Sequence, residues 1–170
     1  MFAPVAFASA CTVVSAQVDV SDLCVPYDGV TIHGVAQGTT TVDHDWTFDK
    51  LAALQALASS VQDLQFVSID ASAASGVSSL DFIDAAHVSV ASGNPAAMLP
   101  TVDAYDCTGD CVPDGSTLAV PSVLQQSAIA YIESGSVLVD LEVDGTLPVE
   151  DWTIDVQLCF RGDFGYSQPL

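Results

Sequence analysis

The segment 106–115, DCTGDCVPDG, carries the densest set of groups able to do chemistry. Asp106, Thr108, Asp110, the Val112 carbonyl and Asp114 fall at alternating offsets, so one loop can turn several oxygens toward a single hard cation such as calcium. Thr117 stands where a bidentate Glu would complete an EF-type shell. Binding is therefore expected to be weak, about 10⁻⁴ to 10⁻³ M as in extracellular sites. Cys107 and Cys111 lie inside the same loop, and an acidic turn pinned by their disulfide, without an ion, is the other reading of these residues.

Catalytic constellations are missing from the sequence. There is no G-x-S-x-G elbow, no H-E-x-x-H, no phosphate-binding glycine loop and no Cys-His pair at a recognisable spacing. His33, His44 and His87 are scattered. Asp43-His44-Asp45 suggests a metal site, but neighbours on a strand point to opposite faces, which keeps His44 from sharing a cluster with both acids. Arg161-Gly162-Asp163 spells an integrin-type tripeptide and is expected beyond the last strand, where it would be exposed. The chain is read as not an enzyme.

The five cysteines divide unevenly. Cys24 and Cys159 are expected to staple an early segment to the last strand, and Cys107 and Cys111 to close the acidic loop. Two such bonds in a chain with two basic residues suit an oxidising compartment. Cys11 is left over. It ends the run Ala8-Ser9-Ala10-Cys11, which resembles the lipobox of bacterial lipoproteins and implies lipidation at Cys11 and an outer-membrane or cell-surface location. The loop 106–115 in turn resembles the calcium loops of bacterial thrombospondin type 3 repeats, with Thr108 and Cys111 departing from that pattern. That resemblance implies a calcium ion held by the oxygens named above.

Composition bounds the partners. Twenty-two acids, nineteen Asp and three Glu, face Lys50 and Arg161 for a net charge of −20, which argues against nucleic acid and anionic membrane surfaces. Contact with a membrane would come only through a lipid anchor. No apolar run approaches the roughly 18–20 residues of a spanning helix.

The elements that must position these groups are mostly strands. The stretch 136–160 contains two alternating apolar runs: Val137, Val139, Leu141 and Val143, then Trp152, Ile154, Val156, Leu158 and Phe160. Asp144-Gly145 and Pro148 between them predict a β-hairpin. Further strands are expected over 12–22, 30–35, 39–48, 64–73, 82–91 and 116–120, with a turn at 26–29, and short helices over 50–60 and 122–134. Segment 1–11 reads as a signal-like segment or first strand, 12–165 as one domain, and 166–170 as a tail. The expected fold is mostly β, an antiparallel two-sheet β-sandwich, immunoglobulin-like or jelly-roll, with a closed β-barrel as the alternative.

Together these features predict a non-catalytic, exported, surface-anchored module with a structural or binding role. One alternative is a self-assembling subunit of an extracellular filament, pairing through its N-terminal strand. The other is a hydrolase whose site forms only in the fold.

Overall fold

Alternation of apolar and polar residues produces eight strands in the computed structural model, which describes residues 13–48, 61–124 and 127–169. They are β1 Val13–Ile32, β2 Thr41–Phe48, β3 Val61–Ser75, β4 Ile83–Ser92, β5 Val102–Asp106, β6 Thr117–Pro121, β7 Val137–Gly145 and β8 Trp152–Pro169. One sheet has the order β1-β8-β3-β6 and the other β2-β7-β4-β5, and every pairing is antiparallel. The ladders β1/β8, β2/β7, β3/β6 and β4/β5 are nested, as in one long hairpin rolled up on itself, and β3/β8 and β4/β7 complete the two sheets. This is a jelly roll. Each sheet keeps two end strands, so the closed barrel is not what forms.

The predicted hairpin is corrected by this topology. β7 and β8 lie in opposite sheets, with β7 between β2 and β4 and β8 between β1 and β3. Alternation marks which face of a strand is buried but carries no information on which strand pairs with it, and these two faces meet across the core. Val137, Val139, Leu141 and Val143 are buried on one side, and Trp152, Ile154, Val156, Leu158 and Phe160 on the other. The connecting segment 146–151 is tied down by bonds from the Thr146 amide to the Phe82 carbonyl (2.9 Å) and from the Val35 amide to the Pro148 carbonyl (3.0 Å).

Aromatic rings form two separate groups along the core, one around Phe66 and Phe160 and the other at Trp152, the first residue of β8. Phe66 meets Tyr105 edge-on at 5.8 Å and lies 5.5 Å from Phe160 and 6.2 Å from Tyr131, while Phe82 packs edge-on to Trp152 at 5.2 Å. The sole α-helix among the described residues, α1 Ile129–Glu133, buries Tyr131 and Ile132, with Tyr131 against Phe66. It is much shorter than the helix expected over 122–134. The amides of Ser122 and Val123 bond the Val67 and Ala104 carbonyls, which holds that part of the chain beside the strands. Gly135, at φ +99, ends the turn. The helix expected over 50–60 lies outside the described residues.

Two further expectations change. The turn at 26–29 is an irregularity within β1: the register slips between Tyr27 and Val30, and Gly29, at φ +75, gives its amide to Asp155 Oδ1 at 2.9 Å. β5, absent from the expected strands, pairs with β4. Its Ala104 and Tyr105 are both buried at a register shift, which breaks the alternation by which a strand is recognised.

Candidate functional site

Three places on the described surface gather groups able to do chemistry. The first is on the outer face of the β1-β8-β3-β6 sheet. Cys24 on β1 and Cys159 on β8 are directly opposed in register and disulfide-bonded, with Cα atoms 4.0 Å apart. So short a separation marks a pair without mutual backbone hydrogen bonds, in which side chains approach most closely. Asp70 reaches in from β3, with Oδ2 3.5 Å from Cys159 Sγ. A bonded sulfur has no proton to give, so this is a contact between carboxylate and sulfur. Cys159 is buried and Cys24 and Asp70 are half-buried. Beside Asp70 a shallow groove of about 450 Å³ runs between Ser72, Thr117, Ala119 and Gln157. Asp70 had no signal in the sequence, since only the β3/β8 register brings it to Cys159.

The second is the outer face of the β2-β7-β4-β5 sheet. Asp43 faces Glu142 and Asp45 faces Asp140 across the β2/β7 ladder, and His87 on β4 stands opposite both Glu142 and, on β5, Asp106. Partial burial first, then a hydrogen bond with Asp45 and the charges of Asp45, Asp43 and Glu142, push the Asp140 carboxyl above its ordinary range. His44 stands opposite inward-facing Leu141, on the reverse face from Asp43 and Asp45, as the strand geometry requires. Burial, and secondarily His33, lower its basicity. His87 Nε2 lies 3.3 Å from Asp103 Oδ1 and His33 Nδ1 lies 3.3 Å from Asp151 Oδ2. The other Asp151 oxygen accepts the Gly34 amide at 2.9 Å. That bond first, and His33 second, hold the Asp151 carboxyl below the usual carboxylate range. In both pairs the histidine's partner is a carboxylate, and among the described residues no hydroxyl or thiol is hydrogen-bonded to the ring.

The third is the loop 106–115. Cys107 and Cys111 are bonded, with Cα atoms 4.8 Å apart, and the Cys107 amide anchors the loop to the Ala86 carbonyl at 3.0 Å. Asp106 Oδ1 accepts the Thr108 amide at 2.7 Å, and hydrogen bonds from Thr108 lower the Asp106 carboxyl. Asp114 and Thr117 close a small hairpin through their backbones. Asp110, Val112 and Asp114 are exposed. Among the described residues the group of three His, Cys, Asp or Glu side chains whose ligand atoms converge is Cys24, Asp70 and Cys159, with atoms within 4.8 Å of one another; Asp106, Asp110 and Asp114 form no such group.

Arg161-Gly162-Asp163 departs from its expected place. It lies inside β8, a central strand, paired to Asp19 and Val20 on one side and to Asp63, Leu64 and Gln65 on the other. A tripeptide held in two ladders is not offered as a loop. Cys11 lies outside the described residues. No helix among them is long and apolar enough to cross a membrane.

No family model matches the chain, and no curated protein matches it. Among solved structures, one of Desmodium yellow mottle tymovirus is 11% identical, with a TM-score of 0.29 over all of this chain and 95% of that one. One of Turnip yellow mosaic virus is 13% identical, with a TM-score of 0.28 over all of this chain and 88% of that one. At these levels the likeness assigns no role, and the jelly-roll assignment rests on strand order.

Proposed function

We propose that this chain is a non-catalytic structural module that associates with copies of itself through the free edge of its longest strand. Jelly rolls serve capsid, lectin and cupin domains alike, so the fold leaves the role open. The supporting observation is β1: twenty residues at the end of its sheet, paired on one side with β8 and bare on the other among the described residues. A long open edge is a template for another strand. Its guards are local. Pro26 falls two residues after Cys24, and the register slips at Val20/Leu23 and Tyr27/Val30, which leaves the arm 13–20 as the unbroken part of the edge. A net charge of −20 opposes association in dilute salt, so assembly is expected to need screening.

Sedimentation at low and at molar salt tests this. The expected result is a monomer in dilute buffer and dimers or larger species when charge is screened. Backbone amides alternate in direction along a strand, so one of Gln17→Pro and Val18→Pro removes an outward donor while sparing the ladder to β8. That variant should stay monomeric. A chain that remains monomeric at every salt concentration, or assembly that both variants leave intact, overturns the proposal.

A second reading concerns location. Two disulfides are consistent with an extracytoplasmic setting, and with Cys24, Cys159, Cys107 and Cys111 bonded to one another, Cys11 is the cysteine left over. A lipid anchor on Cys11 would account for it. Intact mass of the native protein decides: an acylated Cys11 supports the anchor, and an unmodified thiol removes it.

A further inference from the structure

We propose that reduction of the Cys24–Cys159 disulfide uncovers a site for a thiophilic divalent cation, of the zinc class, built from Cys24 Sγ, Cys159 Sγ and Asp70 Oδ2. Three neighbouring strands of one sheet, β1, β8 and β3, each supply one ligand, and their ligand atoms already lie within 4.8 Å of one another. Around tetrahedral zinc, with sulfur at about 2.3 Å and carboxylate oxygen at about 2.1 Å, the sulfur-to-oxygen edge is about 3.6 Å. Asp70 Oδ2 stands 3.5 Å from Cys159 Sγ, which is that edge.

The disulfide occupies the metal's place. Two thiolates on one zinc sit about 3.8 Å apart, so the sulfurs must part before an ion can enter. The direct cross-strand register permits this by side-chain rotation, since neither backbone has to move to keep both sulfurs on the same face. Asp70 has no cationic side chain bonded to it among the described residues, and its contact to Cys159 is made with the sulfur rather than with a base. Three protein ligands leave the fourth tetrahedral position to an exchangeable ligand such as water.

Chemically, a dithiol or phosphine reductant supplies two electrons and, with two protons, converts the S–S bond to two thiols. The reductant leaves as its disulfide or phosphine oxide, the latter taking its oxygen from water. Metal entry then forms two metal–sulfur bonds and one metal–oxygen bond and releases the two thiol protons. Thiolate pairs select soft or borderline ions, so calcium and magnesium should not compete.

Cobalt(II) is the probe, in the Cys107→Ser/Cys111→Ser background so that the other cysteine pair is silent. Oxidised protein should show no sulfur-to-metal charge-transfer absorption. Reduced protein should show it with one cobalt per chain, and zinc should displace it. Asp70→Ala should weaken cobalt binding at least tenfold while leaving the circular dichroism unchanged. In the otherwise native chain, Cys24→Ser/Cys159→Ser should abolish the band although Cys107 and Cys111 remain, which provides the test if the first background fails to fold. The proposal is overturned if the reduced, folded protein shows no band, if two chains share each metal, if Asp70→Ala binds cobalt as tightly, or if reduction unfolds the chain.

Discussion

Tyr105 shows how a single residue departs from the rules that the rest of the core obeys. It is wholly buried, and its hydroxyl has no hydrogen-bond partner among the described residues. Burial first, and the charge of Asp70 second, push its phenol far above the ordinary range, so it stays protonated at every working pH. The neighbouring Tyr131 does find a partner, donating to the Pro100 carbonyl at 2.9 Å. An unpaired buried hydroxyl costs about 1–3 kcal/mol, and removing it leaves a gap of one oxygen that offsets part of the gain. Tyr105→Phe is thus expected to be neutral or to stabilise by up to about 1 kcal/mol, read from urea unfolding. A loss of about 1 kcal/mol or more would mean that the hydroxyl is bonded in solution and that the ring packing against Phe66 is not its whole role.

At the scale of elements, the sequence stated which face of each strand is buried and was silent on which strand lies beside it. Val137 to Val143 and Trp152 to Leu158 alternate and are buried as their period demands, with the disulfide-bonded Cys159 buried as well on the opposite face, yet the two runs pair in different sheets because strand order is set by how the whole chain rolls up. β5 was illegible for the opposite reason, since two successive buried residues erase the period. The Cys24–Cys159 bond could be anticipated from cysteine arithmetic, whereas Asp70 beside it could not, because its place depends on the registers of two ladders. Register also creates a liability on the opposite sheet, where Asp45 faces Asp140 and Asp43 faces Glu142. Like charges directly opposed destabilise a sheet by roughly 0.2–1 kcal/mol per pair. A carboxyl whose folded value is raised favours the fold while protonated, so the benefit is complete below the unfolded value and is lost as pH rises through the folded one. Asp140 is such a group. Asp140→Asn should therefore stabilise by roughly 0.2–1 kcal/mol at pH 7 and make little difference below about pH 4. An equal gain at both pH values would assign the effect to packing instead of charge.

Across the whole molecule, charge and covalent staples oppose each other. The Cys24–Cys159 bond spans 135 residues, a closure worth about 5 kcal/mol in the chain-entropy model, and the 107–111 loop about 2. Against them stand 22 acids and two basic residues, whose mutual repulsion is greatest in the compact state. The screening length falls from about 30 Å at 0.01 M salt to about 3 Å at 1 M, so melting temperature should rise with sodium chloride. For a chain of this size each kcal/mol is worth about 2–4 °C. Comparing calcium chloride with sodium chloride at equal ionic strength separates screening from binding. Calcium held at 106–115 with affinity near 10⁻⁴ to 10⁻³ M would add about 0.4–1.4 kcal/mol at millimolar concentration. That increment must disappear in Asp110→Ala. The geometry argues for a smaller effect, since Asp106 already spends an oxygen on the Thr108 amide and the three loop carboxylates do not converge. The expected outcome is equal melting temperatures in the two salts, leaving the loop as a disulfide-pinned turn; a calcium-specific rise that Asp110→Ala abolishes would show that the exposed acids close around an ion.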